Sequence, residues 1–417
     1  MSWREAFAVY SHPRVIAMLF LGFSAGLPLL LVFSTLTAWL TDEGLSRTAI
    51  GFFAWVGITY SIKVIWAPVV DHVSLPVLGR LGQRRSWILL AQLGIALGLI
   101  AMSQLQPANQ LLILALLSVF VAFCSATQDI AIDAYRIEAV DTNKQGAMSA
   151  TYILGYRLAM LMAGAGAFYI AEFESWNLSY LTMGLLLAMG MATTLLIREP
   201  IERKKRHYEN MLQWIEMSVA APFKEFFQRY GRLALTILCL VGFYRLSDIT
   251  MGIMANPFYL DMGYSKLDIA NIGKIFGFVM TILGAGAGGV LVVRYGVYGP
   301  LLLGAVLVAS TNLLFVLLST LEPSLPWLAF VISADNLSGG LAGAAFIAYL
   351  SSMTSAKHTA TQYALFSSLM TLPAKFLSGF SGVVVDAQGY AVFFSLAALF
   401  GIPAILLTMR LKSNIKS

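Results

Sequence analysis

Two acidic residues, Asp129 and Asp133, lie near the end of an apolar run that is long enough to cross a membrane. The run, 111–135, exceeds the roughly 20 residues that a helix needs for one crossing. The four-residue spacing places both carboxylates on one helix face. An unpaired carboxylate costs about 2.5–3.5 kcal/mol at the centre of a bilayer, so both side chains are predicted to face partners or an aqueous cavity.

Carboxylates withdrawn from water are suited to binding and releasing protons during transport. Asp129 is the deeper of the two and stands beside Gln128, so we predict that it carries a proton, with Asp133 as a second proton-coupling candidate. Protonation of Asp129 is expected to loosen an ion pair with Arg157 and to free that guanidinium for an anionic ligand. A purely structural ion pair with Arg157 remains an alternative.

The composition predicts an all-α polytopic membrane protein. Hydrophobic residues make up 59% of the 417 and charged residues 12%, about half the proportion in ordinary soluble domains. The net charge of +6 comes from basic residues in short connections, which set topology, so nucleic-acid binding is excluded as an expectation. The four histidines lie in polar connections and the two cysteines in apolar runs, a pattern that predicts no metal site.

Twelve apolar runs divide the chain into two predicted six-helix halves, 1–197 and 233–417. A polar linker, 198–232, joins them and contains a predicted amphipathic helix on the inner leaflet. Basic residues accumulate in the connections of one side, whereas the other side holds only Arg47 and Lys266, so both termini are predicted to be cytoplasmic. The predicted spans are 15–40, 50–70, 87–103, 111–135, 147–171, 178–197, 233–257, 269–293, 300–318, 327–350, 363–385 and 391–410.

The two predicted halves contain charged residues in a similar order. Arg157 precedes Gly164 by seven positions in the fifth span, as Lys375 precedes Gly382 at the eleventh, and Lys63 in the second span corresponds to Lys274 in the eighth. This pseudo-symmetry resembles the parallel six-span repeats of the major facilitator superfamily, in which substrate binds near mid-membrane.

When the ends of the predicted spans are set aside, five basic residues face three acidic residues inside the membrane. This surplus of positive charge predicts an anionic cargo. Structural roles without substrate binding remain alternatives. Lys63 and Lys274 can extend to the membrane interface, and the other charged residues can form structural pairs with one another. The full set is Lys63, Asp129, Arg157, Arg245, Asp248, Lys274, Asp335 and Lys375.

The connection after the second span holds an acidic residue, two glycines and paired arginines. It is similar to the loop that members of the superfamily carry between spans two and three, where charges pin neighbouring helix ends. We predict a conformational latch in which the acid–arginine pairing is left open; a simple topology signal is the alternative. Its residues are Asp71, Arg84, Arg85 and Arg136.

Five segments, in the same order along nearly the whole chain, resemble the anhydromuropeptide permeases of Gram-negative bacteria, the AmpG family. They are Leu21-Gly22-Phe23-Ser24-Ala25-Gly26-Leu27-Pro28, Phe123-Cys124-Ser125-Ala126-Thr127-Gln128-Asp129-Ile130, Leu154-Gly155-Tyr156-Arg157-Leu158, Asp335-Asn336-Leu337-Ser338-Gly339-Gly340 and Ala360-Thr361-Gln362-Tyr363-Ala364-Leu365.

The resemblance implies proton-driven import of N-acetylglucosaminyl-anhydro-N-acetylmuramyl peptides across the bacterial inner membrane. It further implies a role in cell-wall recycling and, in some hosts, β-lactamase induction. Two features depart from the family: some members continue beyond the twelfth span, and Asp335 stands in place of a glutamate. Relatives in the same branch resemble importers of siderophores or acetyl-coenzyme A, which remain alternatives. The implied substrate-binding residues are Lys63, Gln128, Arg157, Arg245, Lys274, Asn336, Gln362 and Lys375.

The expected partners are an anionic sugar-peptide substrate and membrane lipids, with the chain acting as a monomer. The expected energy source is the proton gradient, with no cofactor. An enzyme would need a nucleophile–base pair, a metal cluster or two catalytic acids, and the sequence indicates none, although Asp133 and Glu138 leave a transferase as an alternative. A receptor that signals without transport is the third class considered.

Overall fold

In the computed structural model, the described residues are 9–140, 145–200, 216, 221–353 and 359–416. Their regular structure is helical, and no strand occurs within these ranges. The predicted all-α class is therefore confirmed. Most of the predicted amphipathic linker helix lies outside the described residues, and a helix begins there at Ala221.

The chain forms two compact units. Unit 1 comprises Met1–Leu45 and Val56–Lys205, and unit 2 comprises Ser46–Trp55 and Arg206–Ser417. The short segment Ser46–Trp55 therefore packs with the second part of the chain, which the sequence does not anticipate. The predicted division of the chain into two halves, 1–197 and 233–417, with a linker between them, remains a prediction.

Unit 1 is built around a core in which Leu21, Ile88, Ile132 and Tyr135 are fully buried. Between its α-helices lie 3-10 turns at Lys63–Ile65 and Leu78–Leu81 and a π-helical turn at Met162–Gly166. A further 3-10 turn, Phe53–Gly57, contains the boundary at Trp55 between the two units. The α-helices up to residue 196, including α3 of unit 2, are α1 (Pro13–Leu31), α2 (Ser34–Asp42), α3 (Arg47–Phe52), α4 (Ile58–Ser61), α5 (Ala67–His72), α6 (Gln83–Met102), α7 (Pro107–Glu138), α8 (Gln145–Leu161), α9 (Ala167–Phe173) and α10 (Trp176–Leu196).

Unit 2 has its own core, in which the rings of Tyr244 and Phe346 stack with centroids 4.3 Å apart. A π-helical segment, Ile269–Phe276, joins its fourth and fifth helices after the linker. The remaining α-helices are α11 (Ala221–Tyr230), α12 (Leu233–Tyr244), α13 (Leu246–Asp261), α14 (Lys266–Asp268), α15 (Gly277–Tyr295), α16 (Tyr298–Leu318), α17 (Leu325–Met353), α18 (Thr359–Ser378), α19 (Ser381–Leu399) and α20 (Ile402–Lys416).

Ten helical segments of the described chain are long and apolar enough to cross a membrane. The predicted second span, 50–70, is absent from these ten because it is broken into α3, α4, α5 and the 3-10 turns between them. The predicted eleventh span, 363–385, corresponds largely to α18. Gly389 has a φ of 80°, so α19 is two helical segments that meet where the predicted eleventh span gives way to the twelfth.

The contacts of Arg47 explain why Ser46–Trp55 packs in unit 2. Its guanidinium forms an ion pair with Asp261, with Nε 2.8 Å from Oδ2. Burial alone would lower the pKa of Arg47, but its hydrogen bonds and attraction to Asp261 and Tyr390 raise the pKa above the ordinary value. The Asp386 carboxylate also accepts hydrogen bonds from the backbone N–H groups of Arg47 and Thr48, at 3.1 and 2.7 Å, and so caps the start of α3.

Helices α1 and α8 of unit 1 cross in backbone contact because glycine occupies the crossing point. A Cβ atom on Gly155 would collide with the carbonyl of Leu19 and lie 2.9 Å from the backbone nitrogen of Phe23. Small residues at crossings allow the van der Waals contact that replaces the hydrophobic effect between helices in lipid. This crossing fixes the position of Arg157, two residues further along α8.

We expect Gly155→Ala to destabilise the protein by about 1–3 kcal/mol, because the added methyl group meets backbone rather than a movable side chain. The melting temperature in detergent measures this loss. Gly252→Ala is the matched control, since a Cβ there meets nothing within 4 Å. Equal melting temperatures for the two variants would contradict the assigned crossing.

Candidate functional site

Helix α7 presents the polar residues of unit 1 along its last three turns. Gln128 is fully buried, and its side-chain oxygen accepts a hydrogen bond of 2.9 Å from Ser24 on α1. Gln92 on α6 donates to the same serine hydroxyl at 3.1 Å and accepts from Thr194 on α10 at 2.9 Å. This network ties four helices together behind Asp129. In this structure Gln128 thus supports packing, and its predicted contact with substrate stays a prediction.

Asp129 is paired with Lys63, and the predicted pairing with Arg157 is wrong for this structure. The Lys63 Nζ lies 3.8 Å from the Asp129 Oδ2, and the two side chains are 36% and 16% exposed. The other carboxylate oxygen, Oδ1, is buried and has no hydrogen-bond partner within the described ranges. The negative charge of the carboxylate is therefore only partly compensated in this structure.

The break in the second span is what brings Lys63 to Asp129. Lys63 starts a 3-10 turn between α4 and α5, and Trp66 at the end of this turn anchors it to α7. The Trp66 indole N–H donates to the Thr127 hydroxyl at 3.1 Å, and its ring packs against Phe123 with centroids 4.9 Å apart. An unbroken helix would place Lys63 by regular helical geometry, whereas here tertiary contacts place it.

Arg157 lies exposed on α8, and no carboxylate pairs with it in the part of the chain that the structure describes. The contact recorded for its guanidinium is a weak one, Nη1 to the Met160 Sδ at 3.9 Å. An arginine is always charged at neutral pH and offers five donors in a planar fork that fits a carboxylate. Arg157 is thus a cation available to a bound anion.

Asp133 and Arg136 pair with each other one turn beyond Asp129, at 3.2 Å. Arg136 also donates to the Ser149 hydroxyl at 2.7 Å and lies over the Tyr152 ring, 5.8 Å from its centroid. These contacts place Asp133 with the charge cluster at the end of α7 and separate it from the pair of Lys63 with Asp129.

Two of the three arginines of the predicted latch, Arg84 and Arg85, contact acidic residues that the sequence-based prediction did not include. Arg84 binds the Glu138 carboxylate through two hydrogen bonds, of 2.9 and 2.8 Å. Glu199 accepts from the backbone N–H groups of Arg84 and Arg85, at 2.7 and 3.1 Å, and so caps α6. The side chain of Asp71 lies outside the described residues.

The side chain of Arg85 binds backbone carbonyl groups at the end of α10 instead of an acidic residue. Its guanidinium donates to the carbonyl oxygens of Thr194 at 3.0 Å and Leu195 at 2.7 Å. A signal for the missed acids was present, because Glu138 and Glu199 both follow spans at the membrane side that carries the arginine pair.

We expect Glu138→Gln to lower the free energy of unfolding by about 1 kcal/mol or more, since it removes a partly buried bidentate ion pair. Thermal unfolding in detergent measures the change. Glu225→Gln is the control, because its pair with Arg229 is exposed within a single helix and is worth about 0.3–0.5 kcal/mol. An unchanged midpoint for Glu138→Gln would exclude a structural role for the pair.

Lys274 in unit 2 lies in the π-helical segment, where an extra residue per turn changes the direction of side chains. Its ammonium group donates to the Asn256 side-chain oxygen on α13 at 3.1 Å. Asn256 is 2% exposed, so it is a fixed acceptor. The π-helical turn is thus associated with a functional candidate, as such turns often are.

Asn336 occupies the crossing of α15 and α17. The Thr281 hydroxyl donates to its side-chain oxygen at 2.8 Å, and its side-chain nitrogen donates to the Ile332 carbonyl at 3.0 Å. A Cβ atom on Gly340 would collide with the Thr281 carbonyl, so glycine is needed for this approach. Asn336 therefore has one further side-chain N–H available for a ligand.

The other candidates of unit 2 lie on α13, α17 and α18, except for Arg245, which immediately precedes α13. Arg245 and Asp248 form an ion pair across one helical turn, as their spacing predicts. Asp335 on α17 accepts a long hydrogen bond of 3.4 Å from Thr311. Lys375 is half-buried on α18. Gln362 is at the start of the same helix, and its side chain lies outside the described residues.

Comparison with known proteins gives a consistent result at the level of family and fold. The model of the Major Facilitator Superfamily matches residues 18–374. The "Putative transporter AmpG 4" of Rickettsia felis is 34% identical over 98% of this chain and 98% of its own length. The "Anhydromuropeptide permease" of Escherichia coli (strain K12) is 33% identical over 96% of this chain and 80% of its own length.

Solved structures support the same fold. The nucleoside transporter NupG aligns with a TM-score of 0.69 at 14% identity, covering 95% of this chain and 98% of that one. A D-xylose–proton symporter aligns with a TM-score of 0.68 at 13% identity, covering 97% and 96%. At such low identity these similarities concern the fold alone.

The chain belongs to the Major Facilitator Superfamily, whose members have twelve membrane-spanning helices in two halves. Within that superfamily it is a member of the AmpG permease family. It is a membrane-embedded transporter of a small molecule, and not an enzyme.

Proposed function

We propose that this transporter imports anhydromuropeptides across the bacterial inner membrane by alternating access, with the proton gradient as its energy source and no cofactor. The observation that carries the proposal is Arg157, an exposed cation without a carboxylate partner among the described residues. It lies on α8, which contacts α7, the helix of Asp129. Relatives that bear the name of an anhydromuropeptide permease, over nearly the whole chain, support the choice of cargo.

The chemistry of the cargo fits the side chains available. A sugar-peptide with lactyl-peptide carboxylates needs cations for its charges and amides for its hydroxyl groups. We assign the carboxylates to Arg157 and to the basic residues Lys63, Arg245, Lys274 and Lys375. The hydroxyl groups are assigned to Asn336, Gln362 and Gln128. The Gln128 oxygen already accepts from Ser24, but its buried side-chain nitrogen has no partner within the described residues and can donate to the cargo.

Proton coupling follows from the pair of Lys63 and Asp129. When Asp129 binds a proton, its attraction to Lys63 is lost, and the ammonium group is then uncompensated at a partly buried site. A substrate carboxylate restores that compensation, so proton and anion bind in mutual support. Release of the proton restores the ion pair and weakens the hold on the cargo. Asp133, already paired with Arg136, is the second candidate.

The proposal includes a monomer with both termini in the cytoplasm, in keeping with the positive-inside rule. Import of a siderophore or of acetyl-coenzyme A is the less favoured reading, because the named relatives do not point to it. These anions belong in the substrate panel of the transport assay.

We expect Arg157→Ala to reduce uptake of radiolabelled anhydromuropeptide into proteoliposomes by at least tenfold, because a charge-assisted hydrogen bond contributes about 1.5–3 kcal/mol. Initial rates over a range of substrate concentrations, with an inward proton gradient, measure the effect. Arg229→Ala is the control, since Arg229 already pairs with Glu225 on α11. Wild-type uptake by Arg157→Ala would refute the assignment.

We expect Asp129→Asn to abolish accumulation of substrate against its gradient and to preserve exchange of substrate across the membrane. A permanently neutral side chain imitates the protonated state, so counterflow between equal pools should continue while uphill accumulation stops. Uptake with and without a pH gradient, beside counterflow on the same vesicles, distinguishes the two. Concentrative uptake by this variant would show that another group carries the proton.

A further inference from the structure

A groove of about 760 Å³ opens on unit 1 between the beginning of α1 and the end of α10. Its walls are apolar and exposed: Ile16 and Phe20 are 46% and 38% exposed, and Leu196 is 84% exposed. Such residues on membrane-spanning helices face hydrocarbon. The wall therefore suits an acyl chain better than a water-soluble ligand.

One end of the groove is basic, with His12, Arg14 and Arg198 as lining residues. The Arg14 guanidinium donates to the Ala139 carbonyl, and Arg198 is exposed. Neither arginine forms an ion pair in the described ranges, whereas Arg84 and Arg136 nearby each bind a carboxylate. The groove thus combines an apolar wall with positive charge that no described acid neutralises.

The basic end of the groove contacts the last turn of α7. Tyr135 in that turn donates to the Arg198 carbonyl at 3.2 Å, and Ala139 follows it as the partner of Arg14. This is the side of the unit that holds Arg84, Arg85 and Arg136, which the positive-inside rule assigns to the cytoplasm. Anionic lipid headgroups are attracted to basic residues at that surface.

We propose that this groove is a binding site for one anionic glycerophospholipid, with its phosphate between Arg14 and Arg198 and an acyl chain along Ile16, Phe20 and Leu196. The charge selects an anionic headgroup, and the apolar wall selects a lipid over free phosphate. The site is separate from the residues assigned to transport, so it does not depend on the choice of cargo.

Native mass spectrometry of the full-length protein in detergent, titrated with phosphatidylglycerol or phosphatidylcholine, tests the proposal. One phosphatidylglycerol should bind preferentially. Each basic residue near a membrane surface contributes about fivefold in affinity, so Arg14→Gln with Arg198→Gln should weaken this binding about 25-fold. The control pair, Arg229→Gln with Arg294→Gln in unit 2, should leave it unchanged.

Arg198→Gln alone keeps the contact of Arg14 with Ala139 and isolates the effect of charge from any loss of folding; about fivefold weaker binding is expected. Equal affinity for both lipids, an unchanged affinity in the double variant, or displacement of the lipid by glycerol phosphate would overturn the proposal.

A photoreactive group on the acyl chain of phosphatidylglycerol locates the site. We expect cross-links to the peptides that contain Phe20 and Leu196, with fewer in the double variant. Cross-links confined to other helices would overturn the proposal, including the case in which a neighbouring segment of this chain fills the groove.

Discussion

Compensation of charge inside membrane-spanning helices is the constraint on which this structure depends. Each ion in a medium of low dielectric constant must find an opposite charge or a set of hydrogen bonds. In unit 1, Lys63 and Asp129 meet this need only in part, since one carboxylate oxygen has no partner within the described chain. Arg157 has no carboxylate partner in the described chain. The proposed function places the bound anion at these sites of incomplete compensation.

The helices hold these groups through two kinds of contact. Glycines such as Gly155 and Gly340 let backbones touch at the crossings that carry Arg157 and Asn336. Buried hydrogen bonds then fix the register, as in the chain from Gln128 through Ser24 and Gln92. Because this network consists of neutral groups, it can rigidify unit 1 without competing for the charges of the site, although the Gln128 side-chain nitrogen has no partner within the described residues.

Much of the fold could be predicted from the sequence, because length and hydropathy decide where a helix can cross a bilayer. The helical class and most spans followed from length and hydropathy. The pair of Arg245 with Asp248 agrees with the alternative of structural pairing, which their three-residue spacing allows. Sequence could not reveal that the second span breaks near Lys63, since the break is stabilised by the anchoring of Trp66 on Thr127. The same break gives Asp129 a partner other than the predicted Arg157.

The latch and Gln128 show a second limit of sequence reasoning. The arginines could be selected from their pattern, but their acidic partners, Glu138 and Glu199, come from distant helix ends that only the folded chain brings together. Gln128 stays a predicted ligand-binding amide, but sequence could not show its buried hydrogen bond to Ser24, which depends on the packing of α1. Spacing predicts contacts within a helix, and contacts between helices require the tertiary structure.

Protection of Met160→Cys by the cargo tests the central claim most directly. Met160 lies beside the Arg157 guanidinium, so its substitution by cysteine probes the site without changing the arginine. The native residues Cys124 and Cys239 are replaced by alanine to remove background labelling. The account predicts that a charged thiol reagent labels this cysteine and that anhydromuropeptide slows labelling at least tenfold. Ala108→Cys, exposed at the start of α7, should be labelled without such protection. Labelling at the same rate with and without cargo would contradict the assignment of Arg157 to the substrate site.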